Sequence, residues 1–422
     1  MKKLLAVLTM LGAMDSEAVK LTDYSPYKFE VLFTNPVCET YKYDRPVIAN
    51  SGKTLSQKPQ NVYCKPADEE RSVSRSISPE YRLKEWILSK ETKEIYLAYL
   101  SFSNNEIRDG LCVAAKNGVK LKIVLDGDEQ TDTNKNAESL KKCGTKVEVY
   151  YRGETGGLGY AHNKIMVVNP GAETVKVVFS SGNLSTGTST NHENWNFVTT
   201  SGKSYFAATH KCVVESMIDG GDTKTNFKNS LNDCRSKIEA QPETDIQTYF
   251  SPVDGRVALK AIASQGQRSD LIEAMSHRFS GDMAKLFAKL LGEKKEIRFI
   301  LDDDIYWAMK LKRDVGRNMS VEAYRIYSGL IEKGMNTRFL ETNQNVYQLQ
   351  HNKFVIFSEK GKGTGVFNGA GNFTTAAFTK NFENFYLITI PEVVEAYKKQ
   401  YVKYFEEMAT TEENMPRDYV LP

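Results

Sequence analysis

Three groups of residues occur twice in this chain at an offset constant to within one position, and that repeat constrains the fold more than any other feature. His162-Asn163-Lys164-Ile165-Met166-Val167-Val168 recurs as His351-Asn352-Lys353-Phe354-Val355-Ile356-Phe357. Gly182-Asn183-Leu184-Ser185 recurs as Gly371-Asn372-Phe373-Thr374 at the same offset. Asn191-His192-Glu193-Asn194 recurs as Asn381-Phe382-Glu383-Asn384, with the offset longer by a single position. Three elements that hold register so closely indicate a duplicated unit.

Each unit reads as α/β. Ile95 to Leu100 alternates like a strand, residues near 104–117 have helical spacing ended by Gly118, and Leu121 to Leu125 is a short apolar strand before Asp126. The second unit matches with a strand at Ile272 to His277, a helix at Met283 to Leu291 stopped by Gly292, and a strand at Ile297 to Leu301. Closing helices are expected over about 202–217 and 391–408. Alternating strands and helices predict a mainly parallel or mixed sheet covered by helices. The polar stretch Glu239 to Glu243 marks the boundary, giving halves at 71–245 and 246–422. Residues 19–70 show no counterpart in the repeat and read as an N-terminal extension.

Before that extension, Lys2 and Lys3 precede an apolar run from Leu4 to Met14, and Ser16-Glu17-Ala18 supplies small residues. This is the layout of a secretory signal peptide over residues 1–18, cleaved after Ala18, and places the protein outside the cytoplasm, secreted or periplasmic. No apolar run approaches the roughly 18 residues of a membrane span. The six cysteines fit an oxidising compartment, and neighbouring pairs are the simplest connectivity: Cys38 with Cys64, Cys112 with Cys143, Cys212 with Cys234. They form no CxxC pair and no histidine stands at zinc-ligand spacing, which argues against a metal site. The 56 basic and 53 acidic residues balance too closely to imply nucleic-acid binding by bulk charge, while leaving room for a local patch.

The repeat carries chemistry. A His and a Lys two apart on a strand share a face. The interval from His162 to Asn183 equals that from His351 to Asn372. The interval from His162 to Glu193 matches that from His351 to Glu383 to within a single position. Lys164, Lys353, Asn183 and Asn372 form a cage of donors for a tetrahedral anion. His162 and His351 provide a nucleophile and a general acid for a two-step displacement. Glu193 and Glu383, each on the second nitrogen of a His, fix the tautomers. The natural target is a phosphodiester, and neither metal nor cofactor is needed.

This set resembles the phospholipase D superfamily, whose signature is HxKxxxxD followed by GSxN or a relative and then an acidic residue. The resemblance covers roughly 78–422, and the stretch from Gly371 to Asn384 is especially similar to the family's bacterial nuclease branch. Tyr249-Phe250-Ser251-Pro252 resembles the family's opening of a half, with Ser78-Pro79 as the first-half equivalent. The resemblance implies two α-β-α sandwich halves related by pseudo-twofold symmetry with one active site between them. It also implies a phosphohistidine on one His, with the other protonating the leaving group. In two-motif relatives the N-terminal His usually attacks, which assigns the nucleophile to His162 and the acid to His351. The motif Asp is replaced by Asn169 and Ser358. The family treats it as largely structural, and the related tyrosyl-DNA phosphodiesterases lack it too.

The leading expectation is therefore a secreted, metal-independent phosphodiesterase. It would act as a monomer on phospholipid, with peripheral contact to a membrane surface and no obligate protein partner. A nuclease with the same mechanism is the alternative, and an impaired phosphate-binding module the third reading. His192 reads as a neighbour of the site, because Phe382 replaces it in the repeat, and His210 and His277 read as structural. Asp302-Asp303-Asp304 reads as a solvated turn rather than a cation site. Asn183 and Asn372 match glycosylation motifs, but a glycan there would block the site. Tyr150, Tyr151, Tyr160 and Tyr347 are candidates for the substrate groove or for the core.

Overall fold

The computed structural model describes residues 19–24, 26–34, 42–57, 74, 76–127, 134–154, 156–311, 321–340 and 349–418. The signal-peptide segment, Tyr347 and the Cys38–Cys64 pair lie outside them.

Equivalent stretches of the two halves fold alike because their apolar registers are the same. The helix Asn105–Lys116 buries Ile107, Leu111, Ala114 and Ala115. The helix Gly281–Gly292 buries Met283, Phe287, Leu290 and Leu291, at the same spacing and therefore on one face. Asn104 caps the first helix by accepting from the Ile107 amide at 3.0 Å. Gly118 ends it in the left-handed region at φ +86°. In the second half Gly292 is still helical and Lys294 takes that conformation, at φ +64°. The expected glycine stop is thus a lysine two positions later.

The strands assemble into two sheets of one topology. The first runs Val19–Tyr24, Tyr27–Phe33, Asn194–Ser201, Thr174–Ser180, Lys164–Val168, Glu94–Tyr99, Lys120–Asp126, Val147–Arg152. The second runs Ile246–Ser251, Glu383–Ile388, Lys362–Gly369, Lys353–Glu359, Leu271–Ser276, Glu296–Asp302, Asn336–Leu340. In each, the last three strands are parallel and the rest antiparallel. This confirms the mixed α/β halves. Two readings need correction. Tyr27–Phe33 pairs Asn194–Ser201 as Ile246–Ser251 pairs Glu383–Ile388, so part of the segment read as an extension completes the first sheet. Phe33-Thr34, rather than Ser78-Pro79, stands where Phe250-Ser251 stands. Ser78 instead caps the helix Pro79–Leu88.

The two sheets share a core. Phe179 of the first stacks on Tyr386 of the second, with ring centroids 3.7 Å apart. Ile165, Val167 and Val177 bury in the same cluster as Phe354, Ile356 and Ile388. The helices Tyr205–Gly220 and Pro391–Lys403 contribute to that cluster, and further helices cover the outer faces. Disulfides join Cys112 to Cys143 and Cys212 to Cys234, as neighbour pairing predicts. No described helix is long and apolar enough to cross a membrane.

His210 belongs to this shared core. Its Nδ1 meets the Phe206 carbonyl at 2.6 Å and its Nε2 meets the Tyr386 hydroxyl at 2.7 Å. Burial pushes its proton affinity down to about 4. A folded pKa below the unfolded value of about 6.5 means that neutral His210 contributes stability above that pH, and the contribution is lost as pH falls toward about 4. The stability gap between the native chain and His210→Gln should therefore shrink by about 2 kcal/mol between pH 7 and pH 5. Urea denaturation of both proteins at the two pH values checks this; a gap that is constant with pH contradicts it.

Candidate active site

The strand Lys164–Val168 is buried along its whole length, so its polar first residue can be accommodated only where the strand meets a cleft. The same holds for Lys353 at the start of Lys353–Glu359. The cleft is built by exchange between the halves. The His162 amide donates to the Phe382 carbonyl at 3.0 Å, and the His351 amide to the His192 carbonyl at 3.0 Å. The Lys164 amide donates to Asn384 Oδ1 at 2.8 Å, and the Lys353 amide to Asn194 Oδ1 at 3.2 Å. Each His-Asn-Lys segment is thus pinned by the Asn-x-Glu-Asn segment of the other half.

The same exchange supplies the carboxylates. His162 Nδ1 lies 2.8 Å from Glu383 Oε2, and His351 Nδ1 lies 2.8 Å from Glu193 Oε1. With Nδ1 donating to a carboxylate, Nε2 of each imidazole is left for chemistry. Lys164 Nζ donates to the His162 carbonyl at 3.0 Å and stands 3.3 Å from His162 Nε2. Lys353 Nζ donates to the His351 carbonyl at 2.7 Å. Asn183 and Asn372 each carry a buried Oδ1 without a hydrogen-bond partner among the described residues. Gly182 and Gly371 precede them because a Cβ there would stand 3.2 Å from the Glu193 carboxyl carbon and 3.3 Å from that of Glu383, and would collide with Trp195 or Phe385. The two His, two Lys and two Glu singled out by the repeat are therefore brought together where the halves meet, and Asn183 and Asn372 follow glycines packed against the two glutamates.

Burial dominates the electrostatics. Desolvation, followed by the lysines, holds both imidazoles well below their usual proton affinity. Desolvation lowers Lys164 to about 8 and holds Lys353 well below the usual ammonium range. It raises Glu193 to about 7 and Glu383 to about 8. The two carboxyls differ because Ser181 Oγ donates to Glu193 at 2.6 Å and Asn191 donates to it as well, whereas Glu383 receives Asn381 at 3.0 Å. Ala370 stands where the first half has Ser181.

Several supporting residues were missed or misread in the sequence. Asp126 Oδ2 accepts from the Ala161 amide at 2.6 Å, and Asp302 Oδ2 accepts from the Gln350 amide at 2.7 Å, one position before each His. Asp302, Asp303 and Asp304 are buried, so the solvated-turn reading is wrong; Asp302 closes its strand against the segment before His351, and Asp303 and Asp304 open the helix Asp303–Leu311. The match of Asp302 to Asp126 at equivalent strand ends was the available signal. Asn169, in place of the motif Asp, accepts from the Lys93 and Glu94 amides at 2.7 and 3.2 Å, anchoring the strand Glu94–Tyr99. In the second half Asp270 serves instead, accepting from the Lys360 amide at 2.7 Å. His277 is not remote: its ring lies 5.5 Å from that of His351. His192 is a buried neighbour, with Nδ1 3.3 Å from the Tyr404 hydroxyl. Tyr150 and Tyr151 bond to Glu148 and Glu138, away from the cleft, and Tyr160 stands exposed beside the His162 segment.

Residues 86–215 and 238–408 match the family described as cardiolipin synthase, phospholipase D-like domain. No curated protein matches the chain. Among solved structures it is similar to phosphatidylserine synthase from Haemophilus influenzae, with TM-score 0.54 and 12% identity over 78% of this chain and 84% of that one. It is also similar to polyphosphate kinase from Porphyromonas gingivalis, with TM-score 0.51 and 13% identity over 77% of this chain and 44% of that one. A histidine mutant of yeast tyrosyl-DNA phosphodiesterase gives TM-score 0.50 and 10% identity over 74% of this chain and 86% of that one. The chain therefore spans less than half the length of the kinase, and at these identities the likeness is one of fold.

Proposed function

As this chain belongs to the phospholipase D superfamily, we propose that it hydrolyses phosphodiester bonds through a phosphohistidine on His162. The observation that carries this reading is the pair of imidazoles, each held at Nδ1 by the glutamate of the opposite half. His162 Nε2 attacks phosphorus, forming the P–N bond as the P–O bond to the leaving group breaks. His351 delivers its Nε2 proton to the departing oxygen. Water then attacks the phosphohistidine, giving its proton to His351 and releasing His162. Lys164, Lys353, Asn183 and Asn372 hold the non-bridging oxygens through both steps, where positioned donors act most strongly in a site shielded from water. The cations are the protein's own, so the reading requires no metal.

The assignment of roles is supported by the unequal carboxyls. Ser181 and Asn191 make Glu193 the better carboxylate, so of the two depressed imidazoles His351 is the one more readily protonated once the anionic phosphate enters, which suits it to be the acid. Glu383 lacks the hydroxyl donor, which leaves His162 the neutral nucleophile.

A phospholipid substrate is supported by two His-Lys sets in one chain and by the lipid enzyme for which the matching family is described. A nucleic-acid substrate is the second reading, favoured by a charged rim on one side of the site. The disulfides and the segment before Val19 support export of a mature chain beginning near Val19. The test is to incubate that mature protein, with EDTA, with bis(p-nitrophenyl) phosphate, phosphatidylcholine vesicles and plasmid DNA. Release of p-nitrophenol and consumption of one natural substrate are expected. Failure on all three overturns the reading.

A further inference from the structure

The groups proposed for catalysis obey the pseudo-twofold axis, so by themselves they cannot decide which way round a substrate lies. The rim does not obey it. Tyr99 pairs Lys164 and Ser276 pairs Lys353, which aligns Leu100 with His277 and Ser101 with Arg278. The bridges Phe102 to Leu184 and Phe279 to Phe373 confirm that alignment. Where the first half has a leucine and a serine, the second has an imidazole and a guanidinium. The same inequality recurs at two further positions. Tyr160, before His162, corresponds to Leu349, and Lys380, before Asn381, to Thr190.

Arg278 lies next to the second His-Lys set. Its carbonyl accepts from the Phe373 amide at 3.0 Å, next to Asn372. Continuing the antiparallel register past Ser276 and Lys353 brings Arg278 beside His351. Among the described residues its guanidinium makes no hydrogen bond or ion pair, and its Nε is buried and without a partner. A buried guanidinium donor left unpaired is costly and calls for an anion. The scissile phosphate already has two ammonium groups and two amides. Tyr160, 46% exposed, stands two positions before His162 with its carbonyl accepting the Phe382 amide at 3.0 Å, and Lys380 is exposed beside it, its carbonyl accepting the Gly159 amide at 3.0 Å. A cation, a second cation and an exposed aromatic ring at one side of a phosphodiester site match the repeat of a single-stranded nucleic acid, with a phosphate on the guanidinium and a base on the ring.

We propose that Arg278, with Tyr160, forms a subsite for the phosphate flanking the scissile one in a single-stranded nucleic acid, and so fixes the strand's direction across the site. This deepens the second, nucleic-acid reading of the proposed function and rests on the proposed hydrolysis for the place of the scissile phosphate. The test reads binding, so that it does not depend on turnover. Fluorescence anisotropy with a labelled oligothymidylate is measured on the full chain in a His162→Asn background, with EDTA, with and without Arg278→Ser. Substituting the first-half residue should weaken binding about 10-fold or more. The slope of log affinity against log salt should fall by about 0.7, the value for one phosphate contact on a single strand. A single neutral methylphosphonate should weaken binding on one side of the scissile position only, and Arg278→Ser should erase that one-sidedness. Equal affinity and slope in both proteins overturn the subsite, as does equal displacement of the oligonucleotide from both by phosphatidylglycerol vesicles. In the otherwise native chain, Arg278→Ser should cost at least about 10-fold more on the oligonucleotide than on bis(p-nitrophenyl) phosphate, which has no flanking phosphate. Equal losses would place Arg278 on the scissile phosphate and overturn the subsite. Absence of turnover on either substrate would defeat the proposed hydrolysis while the binding result still decides the subsite.

Discussion

His162→Ala should lose turnover on bis(p-nitrophenyl) phosphate by about 10,000-fold or more, the scale on which removal of a nucleophile is felt. It should form no covalent phosphoryl adduct. His351→Ala should lose about 100- to 10,000-fold on a substrate with a poor leaving group, the range for a general acid. With p-nitrophenolate, which departs unprotonated, it should still form the adduct and then accumulate it, because the same His351 is proposed to activate water. Acid-quenched mass spectrometry of the two variants distinguishes these outcomes. Adduct in His162→Ala but not in His351→Ala would exchange the roles. Adduct in both, or full activity in either, would defeat the two-step scheme. Glu383 and Glu193 enter through the imidazoles they hold, so they should affect the same steps less than the histidines do.

Lys353→Met should cost about 100- to 1,000-fold in turnover, as removal of one preorganised donor to a developing oxyanion typically does. The loss should fall on kcat more than on KM, because charge on the non-bridging oxygens grows toward the transition state. Folding should not suffer. Lys353 is fully buried, and desolvation leaves its proton weakly held. An apolar side chain of similar length removes that cost and gives up a single bond to the His351 carbonyl. Urea denaturation should therefore find Lys353→Met no less stable than the native chain. A variant that is both inactive and strongly destabilised would show that Lys353 supports the fold and would withdraw it from the proposed cage.

What could be read in the sequence is what leaves a local or periodic trace. The constant offset between the His-Asn-Lys segments and between the Gly-Asn segments established the duplication. Strand periodicity put each His and Lys on one face, and the common apolar register of Ile107, Leu111, Ala114 and Met283, Phe287, Leu290 fixed equivalent helices. Neighbouring cysteines identified the two bridges that the described residues contain. Tertiary structure decided which half serves which. Nothing in the spacing of Glu193 and Glu383 says that each reaches the histidine of the other half, because that exchange is a property of how two sheets meet. The same holds for Asp302, which looks solvated beside two other acids until the Gln350 amide arrives from the segment just before His351. Tyr27–Phe33 shows no motif, yet it completes the first sheet, since such a strand is specified by the neighbour it pairs rather than by its own residues. His277 and Arg278 fall outside the repeat because the first half carries Leu100 and Ser101 there. A search for what the halves share finds the chemistry; only the folded chain shows where they differ around it, since side chains far apart in sequence become neighbours through packing alone.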